Sequence, residues 1–306
     1  MNTRVPTSLM VAAILAAASS VIAQQPAPAA PKPLSGFPAL ETQVLLDLEG
    51  FSPGEIDGRG GPNTRKALAA YTEARKAPPT PVANVTTTYV ITEADVAGPF
   101  VEIPTDMMAK AKLTSLGYTT ALEALGERFH ASPSLLKALN PGATFAAGAT
   151  ITVPAVRPFE LKPEVVPATE GVTVAVSKGE SSLRVYDSAG TLLMYAPVTS
   201  GSEHDPLPLG DWTVTAVLRN PTFNYNPDLF WDADPTHSKA TIPAGPNGPV
   251  GVVWIDISKE HYGLHGTPEP SRIGHSDSHG CVRLTNWDAS RLAGLVRKGI
   301  PVQFVK

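Results

Sequence analysis

The sequence predicts a multidomain chain in which a mostly-β C-terminal domain, a β-sandwich with one late helix, follows one small α part and one small α+β part. Proline-rich stretches at residues 24–36, 78–81 and 154–167 separate these parts, as linkers do. Apolar residues recur at helical spacing in the first half of the chain and alternate with period two beyond residue 170. The 306 residues are enough for two or three domains.

The first residues have the pattern of a secretory signal. Arg4 precedes a short apolar run from Leu9 to Ala18, and small residues lead to a cleavage site after Ala23. The run is shorter than the roughly 20 residues that cross a bilayer, so a membrane anchor is the weaker alternative. We therefore predict a secreted protein with a signal at residues 1–23 and a Pro/Ala linker at residues 24–36.

Composition excludes two classes of partner. Hydrophobic residues make up 42% and charged residues 17%, as in a globular protein, and the formal net charge is -4. Lys and Arg form no cluster, which argues against nucleic acid or anionic lipid as a partner. No later segment is long and apolar enough for a stable membrane span.

Residues 37–76 predict two short helices around a turn. Gly50 ends the first helix, and Asn63 or Thr64 caps the second. A segment this short buries little surface alone, so we expect it to pack on its neighbours; a plain helical spacer is the alternative. The first helix is marked by apolar residues at helical spacing: Leu40, Val44, Leu45 and Leu48.

Residues 84–155 predict a strand, two helices and a closing strand. The helices cover residues 120–129 and 132–142, each with an early Ser or Thr as its cap. An insertion at about residues 93–117 separates the first strand from the first helix.

Residues 170–306 predict the β-rich domain. One late helix is expected from Trp287 to Arg297, capped by Thr285 or Asn286. The predicted strands are 172–176, 183–186, 192–195, 212–217, 250–257, 281–284 and 301–305.

Cys281 is the only cysteine of the chain and has no disulfide partner within it. A single thiol in a secreted protein is a candidate reactive residue, whereas a buried inert cysteine is the alternative. Attack requires the thiolate, and an imidazole that takes the proton supplies it. His265 lies on a separate segment and His279 lies two residues before the thiol, so both are candidate bases.

The glycines beside these histidines favour acyl transfer. Gly280 lets a substrate carbonyl approach, and the backbone N–H groups of Gly280 and Cys281 are donors for a developing oxyanion. A metal site is the rival interpretation, since His261 and His265 have the spacing of a helical zinc pair. Gly263 and Gly266 disfavour a helix there.

A third group of residues is aromatic. Phe223, Tyr225, Phe230 and Trp231 form either a lid over the site or a packing cluster. Trp212 and Trp254 alternate with aliphatic residues and are expected in the core.

The two segments YGLHGT (262–267) and SDSHGCVRL (276–284) resemble the L,D-transpeptidase catalytic domain, also called the YkuD domain. The resemblance implies Cys281 as the nucleophile, His265 as the general base and the Gly266 carbonyl as the group that orients its imidazole. Ser278, His279 and Gly280 then support the site. Arg283 binds a substrate carboxylate, and the aromatic stretch implies substrate contacts for Tyr225 and Trp231.

The upstream parts resemble wall-binding modules. Residues 37–76 resemble a helical peptidoglycan-binding module in their Gly-Phe, Ile-Asp-Gly and Gly-Pro-Asn-Thr pattern, and residues 84–155 resemble a LysM module with an insertion. The resemblance implies peptidoglycan stem peptides and glycan strands as partners, carbapenem-type β-lactams as inhibitors, no cofactor, and a periplasmic or cell-envelope location. A hydrolase on the same scaffold and a non-catalytic wall-binding protein remain as alternatives.

Overall fold

The computed structural model describes Met1 and residues 38–81, 84–161 and 170–306. The predicted signal at residues 1–23 and the linker at 24–36 lie outside these residues, Met1 excepted. None of the helices in the described ranges is long and apolar enough to cross a membrane.

The first described segment contains the two predicted helices, α1 (Leu40–Leu48) and α2 (Pro62–Arg75). Gly50 follows α1 with a φ of 84°. The predicted cap of α2 is wrong, because the helix begins earlier, at Pro62, with Gly61 at the N-cap position and no side-chain cap. Proline suits the first helical position because no N–H is needed there.

The second segment has the predicted order of elements. Strands β1 (Thr86–Val90) and β2 (Thr150–Pro154) pair antiparallel. Between them lie α3 (Glu93–Val96) and α4 (Met107–Lys110) in the insertion, then α5 (Ala121–Arg128) and α6 (Pro133–Leu139). Thr120 and Ser132 cap α5 and α6 through their side chains, as predicted.

These two segments do not form separate cores. Leu40 and Ile56 of the first segment share one apolar cluster with Leu125 of the second. Phe51 of the first segment packs in another cluster with Tyr195 of the C-terminal domain. The expectation that the short helical segment packs on its neighbours is therefore confirmed.

The C-terminal domain is mostly β, as predicted. Its nine-stranded sheet has the order β5-β4-β3-β13-β7-β10-β11-β12-β6, and a separate hairpin pairs β8 with β9. The strands are β3 Thr173–Ser177, β4 Ser182–Tyr186, β5 Leu192–Pro197, β6 Thr199–Ser200, β7 Gly210–Arg219, β8 Phe223–Tyr225, β9 Ala240–Ile242, β10 Val253–Ile257, β11 Gly263–His265, β12 Val282–Arg283 and β13 Pro301–Val305.

The β-sandwich is formed by one continuous sheet rather than by two separate sheets. The start of β7 pairs with β13 and its later residues pair with β10, so the strand passes from one half of the sheet to the other. Val174 from one half and Ile255 from the other lie in the same buried cluster. A long strand shared by two layers is one way in which β-sandwich corners form.

The late helix α7 spans Asn286–Leu295 and is capped by Thr285, whose hydroxyl accepts from the Asp288 N–H. It ends two residues earlier than predicted. Trp287 and Leu292 anchor it in the main core. Because α7 follows β12 directly, it fixes the strand that carries the motif with Cys281.

Candidate active site

The thiol and the imidazole lie at two adjacent parallel strands. Leu264 of β11 is opposite Val282 of β12, and His265 is opposite Arg283. Leu264 and Val282 are buried in the core. Since side chains alternate between faces, His265 and Arg283 project from the other face.

Cys281 directly precedes β12, two residues before Arg283, and shares this second face with His265. The thiol is half-buried, and its Sγ lies 3.7 Å from the carbonyl oxygen of His261. Pairing of β11 with β12 therefore brings the predicted nucleophile and the predicted base to one place. They are 16 positions apart in the sequence.

His265 is held as a neutral imidazole with a defined tautomer. Its side chain is 4% exposed, and Nδ1–H donates to the Gly266 carbonyl oxygen at 2.7 Å. Burial lowers the pKa of His265 to about 3, with a further lowering by Arg283 and an opposing effect of the Gly266 carbonyl. Nε2 is then left as the proton acceptor.

Trp254 is a site residue that the sequence did not reveal. It was expected in the core, but it is half-buried and stacks on His265 with ring centroids 5.5 Å apart. A Cβ at Gly263 would lie 2.6 Å from the Trp254 ring, so this glycine is needed for the ring to cover β11. The indole thus limits water access to one face of the imidazole.

Cys281 is a neutral thiol in this setting. Burial raises its pKa, while the Gly263 backbone N–H and the Arg283 charge lower it by smaller amounts. A neutral thiol beside a neutral imidazole suits proton transfer during attack rather than a stable ion pair.

Gly280 has a structural role in addition to the expected one. Its φ is 95°, and a Cβ there would lie 2.6 Å from the Tyr262 ring. The Tyr262 ring fills the space that a Cβ at Gly280 would need, and the approach of a substrate carbonyl stays a prediction. Tyr262 belongs to the motif and was not singled out from the sequence.

Ser278 and Gly266 brace the backbone at the site. The Ser278 hydroxyl donates to the Cys281 carbonyl and accepts from the Gly201 N–H, both at 2.7 Å. Gly266 lies against the Asn286 side-chain oxygen, where a Cβ would not fit. Asn286, the first residue of α7, was considered from the sequence only as a helix cap.

His279 is held by the aromatic stretch. Its Nε2 lies 2.8 Å from an Asp232 carboxylate oxygen, and its ring packs edge-on against Phe230 with a centroid distance of 5.2 Å. Of the two candidate bases, His265 therefore has the better placement.

Arg283 lies beside His265 with its guanidinium available. Burial lowers its pKa, and the nearby Cys281 opposes this shift. Within the described ranges its guanidinium has no carboxylate partner at salt-bridge distance. The placement agrees with the predicted role in holding a substrate carboxylate.

The aromatic residues divide between the two predicted arrangements, a lid over the site and a packing cluster. Trp231 is 61% exposed, stacks on His204 at a centroid distance of 4.3 Å and approaches His279. Tyr225, by contrast, is 4% exposed, and its hydroxyl lies 2.9 Å from Nδ1 of His237. The ring and the hydroxyl of Tyr225 are thus both occupied, and its substrate contact stays a prediction.

The metal interpretation finds no support in the described residues, where no three His, Cys, Asp or Glu side chains are grouped to hold an ion. His261 and His275 are exposed. The geometry instead defines a class of site, a candidate acyl-transfer site with a thiol and a neutral imidazole in a mostly-β domain.

Comparison with known proteins identifies the family. The family model for the L,D-transpeptidase catalytic domain, YkuD, matches residues 171–303. A Bacillus licheniformis protein provisionally named L,D-transpeptidase YkuD is 30% identical over 184 residues, which cover 59% of this chain and 91% of that protein. The chain therefore belongs to the YkuD family of L,D-transpeptidases, and its C-terminal domain is that of a transpeptidase enzyme.

More distant relatives give the same family name. An Escherichia coli (strain K12) protein provisionally named L,D-transpeptidase YbiS is 27% identical over 62% of this chain and 61% of its own length. Among solved structures, L,D-transpeptidase 3 of Mycobacterium tuberculosis with a faropenem-derived adduct is 18% identical over 52% of this chain and 75% of that chain, with a TM-score of 0.37. A structural likeness of that size carries no further weight.

Proposed function

We propose that the protein is a peptidoglycan L,D-transpeptidase that cross-links stem peptides through an acyl-enzyme on Cys281. The observation that carries this proposal is the parallel register of β11 and β12, in which His265 is opposite Arg283 and Cys281 lies two residues before Arg283. Family membership supports the reaction class, and the register supports Cys281 and His265 as the pair of groups that performs it.

In the first half-reaction, the Cys281 sulfur attacks the carbonyl at the L-centre of the third residue of a donor tetrapeptide. The thiol proton moves to Nε2 of His265, and backbone N–H groups at Gly280 and Cys281 stabilise the oxyanion. The amide C–N bond then breaks. His265 returns the proton to the amine of the departing D-Ala, and a thioester remains on the enzyme.

In the second half-reaction, an amine of an acceptor stem attacks the thioester. A new amide C–N bond forms, the C–S bond breaks, and His265 carries the proton from the amine back to the sulfur. The product joins two third residues. Both half-reactions use the same thiol and base and require neither a metal nor an organic cofactor.

Substrate binding uses the groups around this pair. Arg283 holds a stem carboxylate, because its guanidinium is in no salt bridge among the described residues and arginine makes strong charge-assisted hydrogen bonds to carboxylates. Trp231 lines the approach to the thiol, and His279 anchors the segment that carries this tryptophan. Ser278 holds the backbone of Cys281 in position.

The remaining parts bring the enzyme to its substrate. The signal at residues 1–23 directs export to the periplasm or cell envelope, and residues 24–36 link it to the parts that follow. The helical part at residues 37–76 and the LysM-like part at 84–155 bind peptidoglycan, and residues 170–306 form the catalytic domain. Glycan strands are thus a second partner.

The test is product analysis with purified tetrapeptide muropeptides. Dimers joined through third residues support the transpeptidase. Tripeptide monomers alone indicate a hydrolase, in which water resolves the thioester, and retention on insoluble peptidoglycan with no turnover indicates a wall-binding protein. A carbapenem-type β-lactam is expected to acylate Cys281 and block product formation.

A further inference from the structure

The insertion at residues 93–117 does more than lengthen the upstream part, because it supports the segment beside the candidate active site. We define the aromatic loop as residues 223–242, from β8 to the end of β9. Leu116 of the insertion is fully buried in one cluster with Tyr225 and Ile242 of the aromatic loop. Further members contributed by the insertion are Ile103, Met107, Met108, Ala111 and Leu113.

Backbone hydrogen bonds fasten the end of the insertion to the chain just beyond the aromatic loop. The Leu116 N–H donates to the Ala244 carbonyl at 2.9 Å, and the Asn247 N–H donates to the Leu116 carbonyl at 3.0 Å. Gly245 has a φ of 150° and lies against the Leu116 carbonyl, where a Cβ would not fit. The two segments are therefore joined at a fixed register.

A polar relay joins the insertion to the aromatic loop itself. The Asp106 carboxylate accepts a hydrogen bond from Nε2–H of His237 at 2.7 Å, and Nδ1 of the same ring lies 2.9 Å from the Tyr225 hydroxyl oxygen. The pKa of Asp106 is lowered, first by the Ala109 backbone N–H and then by His237, so its carboxylate is an acceptor at neutral pH.

The other side of the aromatic loop faces the motif that carries Cys281. Asp232 binds His279 at 2.8 Å, and Phe230 and Trp231 pack on the same imidazole. An isolated two-stranded hairpin such as β8–β9 is marginally stable in water. The position of this hairpin beside the site therefore depends on the residues that pack against the side facing away from His279.

We propose that the insertion is a positioning element of the substrate site, in which Asp106, acting through His237, holds the aromatic loop against His279. Asp106 and His237 are positioning residues, since neither touches the reacting atoms. The predicted consequence for substrate rests on the proposed function, whereas the predicted consequence for the aromatic loop does not.

The test compares Asp106→Ser with wild type. Serine keeps the N-cap of α4, which Asp106 provides by accepting from Ala109, but is too short to reach His237. We expect faster hydrogen exchange confined to peptides of the aromatic loop. We also expect KM for the tetrapeptide to rise roughly tenfold, as for a lost hydrogen bond to a charged group, with kcat and alkylation of Cys281 by iodoacetamide within about twofold.

Two further variants sharpen the test. Glu102→Gln removes an exposed carboxylate from the same insertion and is expected to match wild type in every readout. Tyr225→Phe breaks the far end of the relay while keeping the ring in its cluster. Its effect on KM, combined with Asp106→Ser, is expected to be less than additive because both act on one relay.

Unchanged exchange in the aromatic loop of Asp106→Ser would overturn the inference. So would a loss of kcat and of alkylation at constant KM, since that pattern indicates general damage to the domain. A wild-type protein that forms no product from muropeptides instead contradicts the proposed function, and the exchange experiment then decides the role of the insertion by itself.

Discussion

The two sides of the candidate site are held in place by different means. On one side, backbone pairing of β11 with β12 positions His265 and Cys281, and α7 secures the second strand. On the other side, the aromatic loop has a short hairpin of its own and depends on contacts with residues 93–117. The difference suggests that the strand side carries the chemistry and the aromatic-loop side adjusts substrate binding.

The largest expected effect concerns the nucleophile on the strand side. Cys281→Ala removes the only thiol of the chain, so acyl-enzyme formation should be abolished. Intact mass measured after incubation with a carbapenem-type β-lactam checks this. An adduct on the variant equal to that on wild type would show that another residue reacts.

The second effect concerns the base. His265→Gln should slow acylation by about a hundredfold or more, the usual scale for the loss of a general base. His279→Gln is the matched control, because Nε2 of His279 is paired with Asp232 of the aromatic loop. Stopped-flow acylation rates compare the two variants. A larger loss for the control would assign the base to the other histidine.

The pH dependence of alkylation tests how the pair is ionised. The pKa of Cys281 is raised and that of His265 is lowered to about 3, so both groups are neutral at pH 7. The thiolate fraction, and with it the iodoacetamide rate, should then rise about tenfold per pH unit from pH 6 to pH 8. A plateau across this range would reveal a preformed thiolate–imidazolium pair.

The smallest expected effect lies on the aromatic-loop side. Trp231→Ala removes an exposed ring that stacks on His204. Since an aromatic contact is worth about 0.5–1.5 kcal/mol, KM for the tetrapeptide should rise several-fold with little change in kcat. Steady-state kinetics on muropeptides measure both constants. A loss of kcat as large as that of His265→Gln would show that the aromatic-loop side also contributes to the chemistry.

How well the sequence predicts the site also differs between the strand side and the aromatic-loop side. Residues 262–267 and 276–284 are each contiguous, and local patterning predicted the strand at 281–284 and the capped helix after it, although β11 was not among the predicted strands. The chemistry of that side is therefore readable from local sequence. The predicted position of Cys281 near His265 needed only the assumption that the two segments are neighbours.

The remaining features arise from contacts between distant residues. The stacking of Trp254 on His265 and the packing of Tyr262 against Gly280 depend on where side chains meet in the folded chain. Asp106 and His237 are separated by 131 positions, and no local pattern links them. The burial of Tyr225 against residues of the insertion likewise depends on distant contacts, which local sequence does not reveal.

The most direct test of the account is to trap the intermediate with the natural type of donor. Wild-type enzyme mixed with a stem tetrapeptide and quenched rapidly should gain the mass of the tripeptide acyl group, mapped by peptide digestion to Cys281. Addition of an amine acceptor should then remove this adduct and yield a cross-linked dimer. Product that accumulates with no acyl group on Cys281, or an acyl group at another residue, would contradict it.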